Sequence, residues 1–259
     1  KYGETLETVL ERADAIHHEL GAIENLSGKI SDAEKALENA HAETVRLSLD
    51  LSGKREKAAK TVSRRVEKEL ATLKMPNTRF QVRLEAILAE KNLSHHLKID
   101  GRALTETGLE HAAFMIAPNV GESLKPLSDI ASGGELSRVV LALKAILAGN
   151  DAVETVVFDE VDAGIGGGAA EVVGKKLSAL AGVHQVVCIT HLPQIAKFGN
   201  AHFRISKQVH NGRTKTVIHH LDEDGRVQEV ARMLGGEKIT PKTLAHAREM
   251  LADAGGGGQ

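Results

Sequence analysis

At 259 residues, with 42% apolar and 26% charged side chains and a formal net charge of −2, the chain has the composition of a soluble globular protein of one or two domains. No apolar run approaches the roughly 20 residues that cross a bilayer, no basic-then-apolar leader opens the sequence, and a single cysteine excludes a disulfide framework, so a cytoplasmic location is expected. Aromatic residues make up only 2% of the chain, with no Trp, so the core has to come from Leu, Ile, Val and Ala, which also suit long helices.

The first element predicted is such a helix. Leu6, Val9, Ala13, Ile16, Leu20 and Ile23 alternate steps of three and four, as a coiled-coil seam requires. The pattern slips at Leu26, close to Gly28, and resumes at Ile30, Ala33, Leu37, Ala40, Thr44, Leu47 and Leu51, which reads as a stammer. A narrow seam flanked by Glu and Lys implies a partner helix, the alternative being an amphipathic helix on a globular bundle. The chain starts at Lys1, not Met, with a helical pattern already under way, which suggests a piece of a longer protein.

Charge is unevenly spread along this arm. Residues 1–50 hold five Lys/Arg against eleven Asp/Glu, whereas 54–68 hold seven basic residues (Lys54, Arg55, Lys57, Lys60, Arg64, Arg65, Lys68) against Glu56 and Glu67. The basic stretch is either a solvated helix face or a patch that tracks DNA phosphates without sequence preference.

Met75, Pro76 and Asn77 stop the helix, because Pro disfavours helical geometry in the residue before it. The expected organisation is an arm over 1–74, a lobe over 75–254 and a flexible tail over 255–259. Residues 79–84 and 111–117 read as strands, with 118–122 a loop. Further on, 155–158 and 185–189 are short β-branched runs preceded by helical patterns, as expected for parallel strands covered on both faces. Cys188 lies inside the second run and reads as a buried structural thiol.

Four motifs in this lobe carry chemistry. The first is Ala131-Ser-Gly-Gly-Glu-Leu-Ser-Arg138, ahead of an apolar helix. Its glycines permit close backbone approach, and the helix N-terminus favours an anion. It also reads as a simple helix start, with Ser132 the N-cap and Glu135 its capping-box partner.

The second is the strand end Thr155-Val-Val-Phe-Asp-Glu160. Adjacent strand residues face opposite ways, which assigns Asp159 to a Mg²⁺ ion and Glu160 to polarising an attacking water, the two needs of phosphoryl transfer. A solvated loop is the plain alternative. The third, Val161-Asp-Ala-Gly-Ile-Gly-Gly-Gly168, is glycine-rich but lacks the Lys-Ser/Thr ending of a P-loop, and Gly174-Lys-Lys176 lies within a helical pattern. No Walker A motif stands anywhere in the sequence.

The fourth is His191, after the strand run 185–189 and Thr190, where a parallel sheet places its ligands. It is suited to donating a hydrogen bond to a terminal phosphate, or else it is structural. The adjacent pairs His17/His18, His95/His96 and His219/His220 are not expected to converge on one metal in a helix or strand.

The order of signature helix, strand, paired acids, glycine turn, helix, strand and histidine resembles the C-terminal lobe of ABC/SMC-type ATPase heads, an α/β fold, here led by a long N-terminal coiled-coil helix. The wording of Ile130–Arg138, Val157–Ile165 and Cys188–Gln194, with Lys74-Met-Pro76 and Ala231-Arg-Met-Leu-Gly-Gly236, is most similar to the RecN family of bacterial DNA repair ATPases. That resemblance implies that Ser132, Gly133, Gly134 and Glu135 form the signature, touching the γ-phosphate of ATP on the opposite head. It makes Asp159 the Walker B Mg²⁺ ligand, Glu160 the catalytic glutamate, Asp162 the D-loop residue crossing the dimer interface, and His191 the switch histidine. Ala131 stands where many transporters have Leu.

The implied cofactors are ATP and Mg²⁺. The implied partners are an N-terminal Walker A lobe of the same protein, a second copy through the heads, and DNA, with no membrane and a nucleoid-associated cytoplasmic setting. Without Walker A the chain alone is expected to be inactive. A non-catalytic coiled-coil tether and another SMC-type head are the competing readings.

Overall fold

In a computed structural model, which describes residues 5–147, 153–210 and 213–255, the arm is one continuous helix, α1 (Leu6–Thr72). It runs unbroken through Gly28, around which there is open space, so the slip in the seam does not interrupt the helix. The seam residues Leu6, Ile16, Leu20, Ile23, Ile30 and Leu37 are all exposed. Beyond Thr72 the chain turns on Lys74, whose φ of 66° is left-handed, while the Met75 amide donates to the Leu70 carbonyl at 3.0 Å.

After the helix come β1 (Arg79–Ala86), β2 (Lys98–Ile99), β3 (Arg102–Ala103), β4 (Glu110–Ala117) and β5 (Lys125–Pro126). They are followed by α2 (Gly133–Leu147), β6 (Thr155–Phe158), α3 (Gly168–Leu180), β7 (Gln185–Cys188) and α4 (Pro193–Ala196). The hairpin β8 (Phe203–His210) and β9 (Arg213–His220) precedes α5 (Glu223–Gly235) and α6 (Pro241–Gly255). Of the tail expected at 255–259, only Gly255 lies within the described residues, as the last residue of α6.

The chain divides into two compact units, Lys1–Ala58 with Leu84–Ala112, and Ala59–Arg83 with Ala113–Gln259. Helix α1 ends where the sequence predicts, but the unit boundary does not fall there, because residues 84–112 cluster with the arm. In that unit β2 and β3 form an antiparallel hairpin through Asp100 and Gly101, with φ of 49° and 78°, the pair of left-handed residues a two-residue primed turn needs. The Ser52 hydroxyl and the Arg102 guanidinium both donate to the buried Glu110 carboxylate.

The second unit holds the main core. Val66, Leu70 and Leu73 of α1 join Phe80, Ile116, Val139, Leu141, Val156, Phe158, Val173, Leu177 and Ile195. Strands β6 and β7 pair in parallel, Val156 opposite Val186 and Phe158 opposite Cys188. Alternation sends Val156 and Phe158 into this core and Val157 and Val187 the other way.

That other face is not covered as expected: Val157 is 63% exposed and Val187 46%, with Ile189 also exposed. Parallel strands ordinarily have both faces packed, and among the described residues one face of this pair is left open. Helices α5 and α6 form a smaller core on Val230, Ala231 and Ala247, with Asp222 capping α5 by accepting from the Gly225 amide at 2.8 Å.

Candidate nucleotide site

The predicted motifs meet at the carboxyl ends of β6 and β7. Phe158, nearly fully buried, anchors the end of β6, and the Phe158 carbonyl accepts from the Ile189 amide at 2.9 Å, which holds the two strand ends in register. Asp159 and Glu160 follow directly, and both are exposed. Glu160 adopts a left-handed backbone with φ of 54°, a conformation that costs a β-carbon-bearing residue on the order of 1–2 kcal/mol. This turn breaks the strand and separates the two carboxylates.

The start of α2 is fitted against this loop. The Ser132 hydroxyl accepts from the Glu135 amide at 3.4 Å, so the N-cap reading of Ser132 holds alongside any ligand role. Of the two glycines, Gly134 is required by the loop, whereas a side chain at Gly133 would only have to displace the end of the Glu160 side chain. A β-carbon on Gly133 would lie 2.6 Å from Glu160 Oε2, and one on Gly134 would lie 2.7 Å from the Ala163 β-carbon and 2.9 Å from the Glu160 carbonyl. The close approach read from the sequence is therefore made to the chain's own loop at Glu160 and Ala163.

Ser137 and Arg138, on the first turns of the same helix, clamp that loop from below. The Ser137 hydroxyl donates to the Asp159 carbonyl at 2.6 Å, and Arg138 Nη1 donates to the carbonyls of Ala163 at 2.8 Å and Val161 at 3.4 Å. Burial pushes the Arg138 guanidinium below its ordinary pKa, with the nearby Glu135 carboxylate acting the other way. Sequence reading gave these two residues no role beyond the motif. A Ser-Arg pair one turn into a helix is too common to signal such contacts.

Asp162, for which the resemblance implies a D-loop position, is tied into this chain by its own hydrogen bonds. It is only 4% exposed, and its Oδ2 accepts from the Thr190 hydroxyl at 2.6 Å and from the His191 amide at 2.9 Å, and lies 3.0 Å from His191 Nδ1. The Asp162 carboxylate is thus turned inward, where it fixes both the backbone and the ring of His191. His191 itself is 74% exposed, with its Nε2 side free to face a ligand. Thr190 completes the turn by accepting from the Leu192 amide at 3.1 Å.

Beneath these groups, Cys188 is held by burial, and secondarily by the Asp162 and Asp159 charges, at a pKa pushed up to about 12. The thiol stays protonated, consistent with a packing role.

The basic residues expected to touch DNA are all on α1, but in two units. Lys54, Arg55 and Lys57 belong to the first, where Lys54 pairs with Asp50 at 2.7 Å and Arg55 donates to the Glu110 carbonyl at 3.3 Å. Lys60, Arg64, Arg65 and Lys68 belong to the second and are exposed.

No protein-family model matches the chain. It is 37% identical over 256 residues to the DNA repair protein RecN of Bacillus subtilis, covering 98% of this chain and 44% of that protein. It is 39% identical over 252 residues to RecN of Deinococcus radiodurans, covering 97% of this chain and 42% of that protein. The chain thus spans less than half the length of the curated relatives it matches.

Among solved structures, the Smc head domain with a coiled coil and joint derived from Pyrococcus yayanosii is similar in fold, with a TM-score of 0.55 at 14% identity over 90% of this chain and 39% of that one. Its α/β body and long helix share the fold of an SMC head with its coiled coil, and over 97–98% of its length, at 34–39% identity, the chain is similar to RecN DNA repair proteins.

Proposed function

We propose that the chain is the C-terminal part of an SMC-like DNA repair ATPase, supplying the signature, the Mg²⁺ carboxylate, the catalytic glutamate and the switch histidine to ATP sites that it completes with other parts. The observation that carries this reading is the convergence at the ends of β6 and β7, where one loop presents Asp159 and Glu160 while Asp162 orients His191. A tether without catalysis requires none of these.

The division of labour follows from the geometry. Asp159, an exposed carboxylate at the end of a parallel strand, offers the hard oxygen donor that Mg²⁺ takes. When bound, that ion neutralises charge on the phosphates. Glu160 accepts a proton from, and so polarises, the attacking water. His191 donates to a terminal phosphate oxygen, its ring held by Asp162.

Ser132, Gly133, Gly134 and Glu135, at the start of α2, offer a hydroxyl, backbone amides and a helix N-terminus to the phosphate of a second head's nucleotide. Catalysis in such a site is positioning and electrostatics. The uncovered face of Val157, Val187 and Ile189 is where an N-terminal lobe bearing the Walker A motif would pack, and the open seam of α1 is where the returning arm helix would lie.

The chain alone should therefore turn over ATP negligibly. Supplying an N-terminal lobe with G-x-x-x-x-G-K-[ST], by co-expression, is expected to raise steady-state phosphate release well above either part alone. Intact association with no turnover would instead favour the tether.

Lys60, Arg64 and Lys68 recur every four residues and so share one face of α1, with Arg65 beside them. Here DNA is held through its phosphates, in a cytoplasmic, nucleoid-associated setting. Charge reversal at Arg64 and Arg65 together should weaken DNA binding and reduce the salt slope by about 2. Unchanged affinity in a filter-binding titration would remove this assignment.

A further inference from the structure

On the arm unit, one group of side chains has metal-ligand chemistry that neither the ATPase reading nor the arm explains. Glu38, on α1, and His95 and His96, in a short 3-10 turn (His95–Leu97), each offer one ligand atom, and the three atoms lie within 4.8 Å of one another. The sequence expectation that neighbouring histidines do not converge applies to helix and strand. In this turn the two imidazoles instead lie with ring centroids 3.7 Å apart and their planes tilted by 39°.

The turn is fixed against α1 by its backbone as well as its side chains. His41, one turn along from Glu38, bonds through Nδ1 to the His96 carbonyl at 2.9 Å, and its ring meets the His96 ring edge-on. The Leu97 amide donates to the Ser94 carbonyl at 3.0 Å and the Leu104 amide to the Leu97 carbonyl at 2.8 Å. His96 Nε2 sits 3.0 Å from Glu38 Oε1, and that hydrogen bond, with the nearby imidazoles of His95 and His41, holds the Glu38 carboxyl below its ordinary pKa.

We propose that Glu38, His95 and His96 form a binding site for a borderline divalent transition-metal ion, Zn²⁺ being the natural occupant. Two imidazoles and one carboxylate are the donor set such an ion takes, whereas Mg²⁺ and Ca²⁺ prefer oxygen alone. Three protein ligands leave one position for water. His41 is a positioning residue, fixing the segment that carries His96. The ion links α1 to a segment 57 to 58 residues further along the chain, so it acts as a clip between the arm helix and the β2–β3 hairpin of the same unit.

The test is a Zn²⁺ titration of the full 259-residue chain against a chromophoric chelator, with thermal unfolding followed in parallel. One equivalent with a Kd on the order of 1 μM is expected, together with a rise in the melting temperature. E38Q and H96A should each weaken that equivalent by at least about tenfold, and H41A by about tenfold. The double variant H219A/H220A, which removes a different adjacent pair, should leave it unchanged. Glu38 and His95 are exposed whereas His96 and His41 are half-buried, so circular dichroism checks that the variants keep their helix content. Absence of a micromolar equivalent, or one that E38Q and H96A do not weaken, overturns the proposal.

Discussion

Glu160→Gln is expected to lower ATP turnover about 10²–10³-fold in a head completed by its N-terminal lobe, while nucleotide-dependent association of heads persists. The substitution keeps the size of the side chain and the left-handed backbone at residue 160, so the loop against Gly133 and Gly134 is not disturbed. It removes the negative charge that takes up a proton from water. Phosphate release and gel filtration on the same preparation separate the two effects.

His191→Ala and Asp162→Asn belong in the same assay. Asp162→Asn retains an acceptor for Thr190 but loses the charge that orients the histidine, so its loss of turnover should be smaller than that of His191→Ala. A Glu160→Gln head that hydrolyses ATP within a few-fold of the parent would remove the catalytic assignment.

Phe158→Ala should cost the second unit about 3–5 kcal/mol of unfolding free energy. The ring is among the largest fully buried side chains, and it packs where α1, α2, β6 and α3 meet. Its neighbour provides the control. Val157 points to the open face, and Val157→Ala should change stability by no more than about 0.5 kcal/mol in the isolated chain. Urea unfolding of the two variants checks both. Similar losses at 157 and 158 would mean that the exposed face is covered in solution, for example by self-association.

The parts of the fold that sequence made legible are those where local chemistry and tertiary structure agree. The three-four spacing of α1 and its stop before Pro76 needed no distant information. The runs at 155–158 and 185–189 were legible because β-branched residues end abruptly in polar ones. The arm's β2–β3 hairpin was missed although Asp100-Gly101 is a strong turn signal, because its strands are two residues each and show no alternation. The β8–β9 hairpin is longer, but alternation in Phe203, Ile205 and Ile218 leads to an exposed face, not a core.

At the site, the candidate residues are legible in the sequence and their connections are not. Nothing in the spacing of Asp162 and His191 reveals that one carboxylate binds the amide and ring of the other. That contact depends on the register of β6 against β7. In sequence, Gly133 and Gly134 signal close backbone approach without saying to what. In the fold, Gly134 is what lets α2 approach the Glu160 carbonyl and Ala163, an intrachain contact invisible in a motif.

The left-handed backbone at Glu160 also bears on how this position can change. For folding alone, glycine would be the better residue there, since it adopts such a φ freely and would relieve on the order of 1–2 kcal/mol. The same replacement would delete the carboxylate. On the role proposed for Glu160, selection for a sturdier protein and selection for a working one pull in opposite directions at this position, and a screen for thermal tolerance that ignored turnover would be drawn to the wrong side.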